Sequence, residues 1–234
     1  MIAILRREFM AYFYSPIGYI YLSVYYFFAG LYFILYTIIP QIADITPIYS
    51  NMFIIILFLI PILTMRLLSE DKKNRTDQAL LTAPVPLLEL VLGKFFAAVI
   101  VYILGLSITI IFAFIVNSLT PVNWSIVIGN YVAMLLLGMS LISIGMFISS
   151  LTENQVIAAA GGFAVGFLLL IIDALSSFTA NPLIHSILFE LSFSKHFTTF
   201  PSGVFDLSSI FFFLGIIIIF VFLTVRVFEK RRWS

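Results

Sequence analysis

Long apolar stretches separated by short charged or turn-forming breaks dominate the chain. Residues 9–43, 45–65, 95–152, 154–172 and 207–225 contain no Asp, Glu, Lys or Arg, and each run is at least 19 residues long. A helix crossing a bilayer needs about 20 apolar residues. The 58-residue run 95–152 is too long for one crossing and is broken by the polar, turn-forming residues 117–124. The run from Phe9 is divided at Ser15-Pro16, because proline disfavours helical geometry in the residue before it. Six spans are predicted, at about 19–39, 51–68, 95–116, 126–150, 154–172 and 209–227.

Composition agrees with this pattern. Of the 234 residues, 62% are hydrophobic and only 10% charged, well outside the balance of soluble globular domains. Cysteine is absent, which removes disulfides, thiolate metal sites and cysteine nucleophiles from consideration. The N-terminal stretch lacks a signal peptide's order of basic start, apolar run and small-residue cleavage site, so the first span is expected to remain as an anchor.

Charge then sets an expected orientation, since basic loops are retained in the cytoplasm. With both termini inside, 11 of the 12 basic residues fall on the cytoplasmic side and only Lys195 lies outside. The location expected is therefore the plasma (inner) membrane. Ahead of the first span, Ile2, Leu5, Phe9 and Phe13 recur at helical spacing, with Arg6, Arg7 and Glu8 on another side. This predicts a helix lying in the cytoplasmic interface.

No ionisable residue falls in the middle of a span, although Lys94 and Asp173 sit at span edges. Ion-coupled carriers and proton relays need such groups at membrane depth, and an intramembrane protease needs a nucleophile with a base. His185 and His196 are only a weak metal signal and read more simply as interfacial residues on amphipathic helices. The chain is therefore expected not to be an enzyme, and to hold neither metal nor cofactor of its own. Small residues recur at Gly138 and Gly145 and at Ala158, Gly162 and Gly166. In lipid, such spacings let helix backbones approach closely, either as ordinary packing or as an interface that shifts.

Two segments outside the spans carry pattern. Residues 173–207 contain an apolar face at Leu183, Ile184, Ile187, Leu188 and Leu191, followed by alternating aromatic and polar positions up to Pro201. Short extracytoplasmic helices are expected here, either resting on the surface, dipping into the outer leaflet or capping a lateral opening. Residues 66–94 form the longest polar break. Ser69-Glu70-Asp71 suits a helix start, and Leu80-Leu81 forms an apolar tip between charges and prolines, a feature that suits docking of a soluble partner. No phosphate-binding GxxxxGK[ST] motif occurs in the chain.

The stretches "LRREFMAYFYSPIGYI", "RLLSEDKKNRTDQALLTAPVPLLELVLGKFFAA" and "FSKHFTTFPSGVFDLSSIFFFLG" together resemble the ABC-2 type exporter permeases, especially the gliding-motility and copper-enzyme maturation subgroup. The resemblance implies one all-α transmembrane domain over residues 1–234, with an elbow helix at 1–16, a cytoplasmic coupling helix within 66–94 and the outer segment at 173–207. It also implies a cytoplasmic ABC ATPase subunit that binds ATP and magnesium, a second permease subunit, identical or different, and room for an extracytoplasmic accessory protein. Carried onto this sequence, the ATPase contacts would be Glu70, Arg75, Thr76, Asp77, Gln78, Leu81 and Thr82. Arg75 stands where many members have glycine, and Gln78 where glutamate is common. A scaffold that anchors a cytoplasmic partner without transport, and an ion-coupled carrier, are the rival readings.

Overall fold

The computed structural model describes residues 1–76, 86–178, 182–200 and 206–232. These form helices and their connections with no strand among the described residues. Helix α1 spans Ile2–Tyr14 and α2 Pro16–Phe33, continued by a π-helical turn at Ile34–Ile38; α3 spans Thr46–Thr64 and the short α4 Ser69–Lys73. Then come α5 (Leu87–Leu119), α6 (Trp124–Leu151), α7 (Gln155–Phe178), α8 (Pro182–Leu191), α9 (Phe193–Thr198) and α10 (Leu207–Arg232). Six of the described helices are long and apolar enough to cross a membrane, in the order predicted.

Local chemistry sets the breaks. Ser15 is extended at φ −103°, ψ 158°, and Pro16 opens α2 as its first residue, where a missing N–H costs nothing. Asn123 starts α6 by accepting a hydrogen bond from the Ser125 N–H at 3.1 Å, and Ser192 does the same for α9 through the Lys195 N–H at 3.0 Å.

The central helix is α6, which packs against α3, α5, α7 and α10. Its two small positions sit where neighbours press closest: a side chain at Gly138 would meet the Tyr102 ring, and one at Gly145 the Thr64 side chain. On α7, Gly162 abuts the Pro61 ring and Gly166 the Leu57 carbonyl oxygen, where an added Cβ would lie 2.7 Å and 2.9 Å away. Pro61 lacks the N–H that would otherwise bond the carbonyl four residues earlier, so the stripe on α7 fits the proline-altered segment of α3. Ala158 is buried on the same helix. All five small residues thus lie in packing within this one chain.

Three tyrosine hydroxyls, those of buried Tyr49 and Tyr102 and of exposed Tyr26, tie the helices to backbone or hydroxyl partners. Tyr102 donates to the Met134 carbonyl at 2.6 Å, Tyr49 to Thr109 at 3.0 Å and Tyr26 to the Leu104 carbonyl at 2.9 Å. Apolar solvent leaves such hydroxyls few alternatives.

Three expectations change. The third long helix starts at Leu87, not near Phe95, and runs unbroken for 33 residues, because the charge of Lys94 is neutralised inside the structure. Ser69 lies within α4 instead of capping it; Leu68 takes the cap position without a side-chain bond, and the Ser69 hydroxyl turns back to the Met65 carbonyl. On α1, Ile2 is exposed while Glu8 and Phe9 are half-buried and Tyr12 is buried, so the inward face includes a carboxylate.

The outer connection is more than a surface link. Phe193, Phe197 and Phe200 of the α9 region are buried; Phe197 packs on Phe53 of α3, and Phe193 on Phe212 and Phe213 of α10.

Candidate functional site

At the end of the bundle that carries both termini, the start of the charged loop is bound into the helices. Lys94, on α5, has only 1% of its side chain exposed. Its Nζ lies 2.7 Å from Asp71 Oδ2 on α4 and 3.0 Å from Glu8 Oε1 on α1, and it donates to the Leu67 carbonyl at 2.8 Å. One buried cation therefore joins three helices. The ammonium is ion-paired with two carboxylates and hydrogen-bonded to one carbonyl oxygen. Burying an ammonium without such partners would cost several kcal/mol, roughly as much as a well-built pair recovers.

Arg66 forms a second joint. Its Nη1 donates to the Ala11 carbonyl at 3.2 Å and to the Ser15 hydroxyl, its Nε pairs with Glu70 at 2.8 Å, and the guanidinium lies 5.6 Å from the centre of the Tyr12 ring. Burial pushes the Tyr12 phenol well above its ordinary range, with Arg66 pulling the other way, so the hydroxyl remains a neutral donor to the Leu63 carbonyl at 2.9 Å. Arg7 reinforces the carboxylate side, its Nε donating to Glu8 at 3.1 Å. A third joint reaches α6: Ser149 Oγ accepts from the Leu68 and Ser69 N–H groups, both at 3.1 Å, and Lys72 donates to the Ser150 carbonyl.

Beyond α4 the chain turns outward. Arg75 takes a left-handed conformation at φ 56°, and the Thr76 hydroxyl donates to Asp71 Oδ1 at 2.9 Å. That conformation suits glycine best. Of the residues expected to meet an ATPase, Glu70 is half-buried against Arg66, while Arg75 and Thr76 are exposed. Asp77, Gln78, Leu81 and Thr82 lie outside the described residues, as do Leu80 and Pro84.

A family model described as "ABC-2 family transporter protein" matches residues 33–233, most of the chain. The chain belongs to the ABC-2 transporter family. It is thus a multi-pass membrane protein and the permease component of an ABC transporter, a class that works with an ABC ATPase. No curated protein matches the chain. In this ABC-2 permease, the first 32 residues lie outside the match, yet α1 supplies Glu8 and Tyr12 to the joints just described.

Sequence reasoning picked out Glu70, Arg75 and Thr76 but missed Glu8, Arg66, Asp71, Lys94 and Ser149 as a connected set. One signal was present: Lys94 is the single cation, eight residues in, of a helix that begins at Leu87 and carries only Glu89 as a further charge, a position that demands a carboxylate.

Proposed function

We propose that this permease belongs to an ATP-driven exporter of the gliding-motility and copper-enzyme maturation type. Two permease subunits assemble with two separate ATPase subunits, and ATP and magnesium are held by the latter, this chain contributing no catalytic or metal-binding group. Both termini and the loop 66–94 face the cytoplasm of the plasma membrane, as the distribution of basic residues favours. Residues around 70–82, including Glu70, Arg75, Thr76, Asp77, Gln78, Leu81 and Thr82, meet the ATPase.

The observation that supports this reading is the Lys94 junction. A force applied to the loop reaches α4 through Asp71, then α5 and α1 through one buried ammonium. Coupled transport needs such a rigid connection between the moving partner and the spans. Ionisable groups are confined to the ends of the spans, which favours an apolar, amphipathic or lipid-linked cargo over a small ion.

The test is copurification of the ATPase with the Leu81→Lys and Asp77→Lys variants. Loss of the ATPase with retained folding is expected; normal stoichiometry in both variants would sink the contact assignment. ATP hydrolysis in the reconstituted complex should rise with cargo, whereas binding without cargo-dependent hydrolysis would favour a scaffold.

A further inference from the structure

Beside the Lys94 junction, a second face of α5 turns toward α10. Leu88, Leu92 and Phe96 of α5 and Ile218, Phe222 and Glu229 of α10 line a groove of about 550 Å³, well within the range of small-molecule sites. Phe95, Ile217 and Val221 are its buried floor, whereas Leu88, Ile218 and Phe222 stand exposed at its rim. The apolar part of the lining runs along α10 from Leu214 to Val225, about 16 Å. One leaflet of a hydrocarbon core about 30 Å thick is about 15 Å deep. The groove therefore has the length of an acyl chain in a single leaflet.

One turn beyond Val225 the lining ends in a carboxylate. Glu229 Oε2 accepts from Arg226 Nη1 at 2.7 Å, and the Arg226 guanidinium lies 4.9 Å from the centre of the Phe222 ring. The Arg226 and Glu229 side chains are 61% and 40% exposed, so both charges can be reached from outside. Glu229 Oε1 makes no bond among the described residues.

We propose that the groove between α5 and α10 is a phospholipid site, taking one acyl chain of the adjoining leaflet and seating a primary-ammonium headgroup on Glu229. The chain covers the apolar floor and rim without desolvating a polar group. At the depth where the apolar lining stops, the lipid phosphate meets Arg226 and its ammonium meets Glu229. A primary ammonium brings N–H donors to the carboxylate, a charge-assisted bond. The quaternary ammonium of phosphatidylcholine has no N–H, and the glycerol headgroup of phosphatidylglycerol brings no cation. A second copy of the chain packed here would take the Arg226–Glu229 pair out of water, and the desolvation of an ion pair rivals its attraction. A headgroup leaves the pair in the wet interface. The site requires only that the chain lie in a membrane, so it stands or falls separately from the ATP-driven reading.

The test uses the full-length chain in phosphatidylcholine discs that carry a small fraction of phosphatidylethanolamine with a photoreactive group on its acyl chain. Crosslinks mapped by peptide mass spectrometry should concentrate at Leu92, Phe96, Ile218 and Phe222. The internal control is Ile157, exposed on α7 at the end where Glu153 meets Arg231. Unlabelled phosphatidylethanolamine should compete roughly tenfold better than phosphatidylglycerol. In Glu229→Gln that preference should vanish while the groove is still labelled. The double variant Leu92→Trp, Ile218→Trp should lose groove labelling and keep that of Ile157. Equal labelling of the groove and Ile157, or equal competition by the two lipids in the wild type, would show ordinary annular contact and overturn the site. Crosslinks from one chain to another through the groove would overturn it in favour of a second copy. Should the double variant not fold, the surface change Glu229→Gln decides alone, and a preference that survives in it rejects the headgroup assignment.

Discussion

Lys94 ties three helices through one buried side chain, its partners being Glu8 of α1, Asp71 of α4 and the Leu67 carbonyl of the turn before α4. Removing the ammonium strands two half-buried carboxylates beside each other. Lys94→Met is expected to destabilise the fold by about 3 kcal/mol, seen as a lower melting temperature in detergent. The triple change with Glu8→Gln and Asp71→Asn should recover much of that loss, since no uncompensated charge is left buried. Asp206 offers a contrast at the opposite end. Its carboxyl is held below the ordinary value of 3.8, first by the Ser209 bond and then by the Ser208 N–H. A depressed carboxylate contributes its stabilisation above the ordinary value and loses it as pH falls through the lower, folded value. The start of α10 should therefore stay protected from exchange through neutral pH and fray only in acid below about 3.8.

Elements were legible in proportion to how local their signals are. Charge-free runs and the Ser15-Pro16 break marked the six long helices in order, and α1 falls on the predicted residues. The start of α5 was not legible, because reading a lysine as the edge of a span assumes water around it, and here the water's place is taken by Glu8 and Asp71 from elsewhere in the chain. The burial of the α9 aromatics was hidden for the same reason: alternating aromatic and polar residues look alike on a surface and in a crevice. Of the candidate site, the charged loop was visible as a feature but its joints were not, since Arg66, Tyr12 and Ser149 acquire partners only through folding. The glycines of α7 provide a test at this scale. Gly162→Leu and Gly166→Ala should each cost about 1–3 kcal/mol through overpacking on Pro61 and Leu57, measured as thermal shift. Gly215→Ala, which meets nothing within 4 Å, should be neutral or slightly stabilising, and so separates contact from helix propensity.

For the whole molecule, one crossing by each of the six long apolar helices would leave both termini on one side. A cysteine introduced at Asn123, at the turn before α6, should react with an impermeant reagent only from the opposite side; labelling from the side of the termini would refute the six-span arrangement. The two ends of the bundle are built differently. One holds a lattice of ion pairs around Lys94, and the other holds His196, Ser209 and Asp206 beside packed aromatics.

The unbroken length of α5 has a mechanical corollary. A helix of 33 residues is about 50 Å long, and Lys94 pins it 7 residues from its start and 25 from its end, roughly 10 Å and 38 Å along the axis. Lys94 is then a fulcrum near one end of a stiff rod. For a rod held there alone, a tilt that displaced Leu87 by about 1 Å would move Leu119 by between about 3 and 4 Å, and the bonds at Tyr102, Leu104 and Thr109 are what resist that swing.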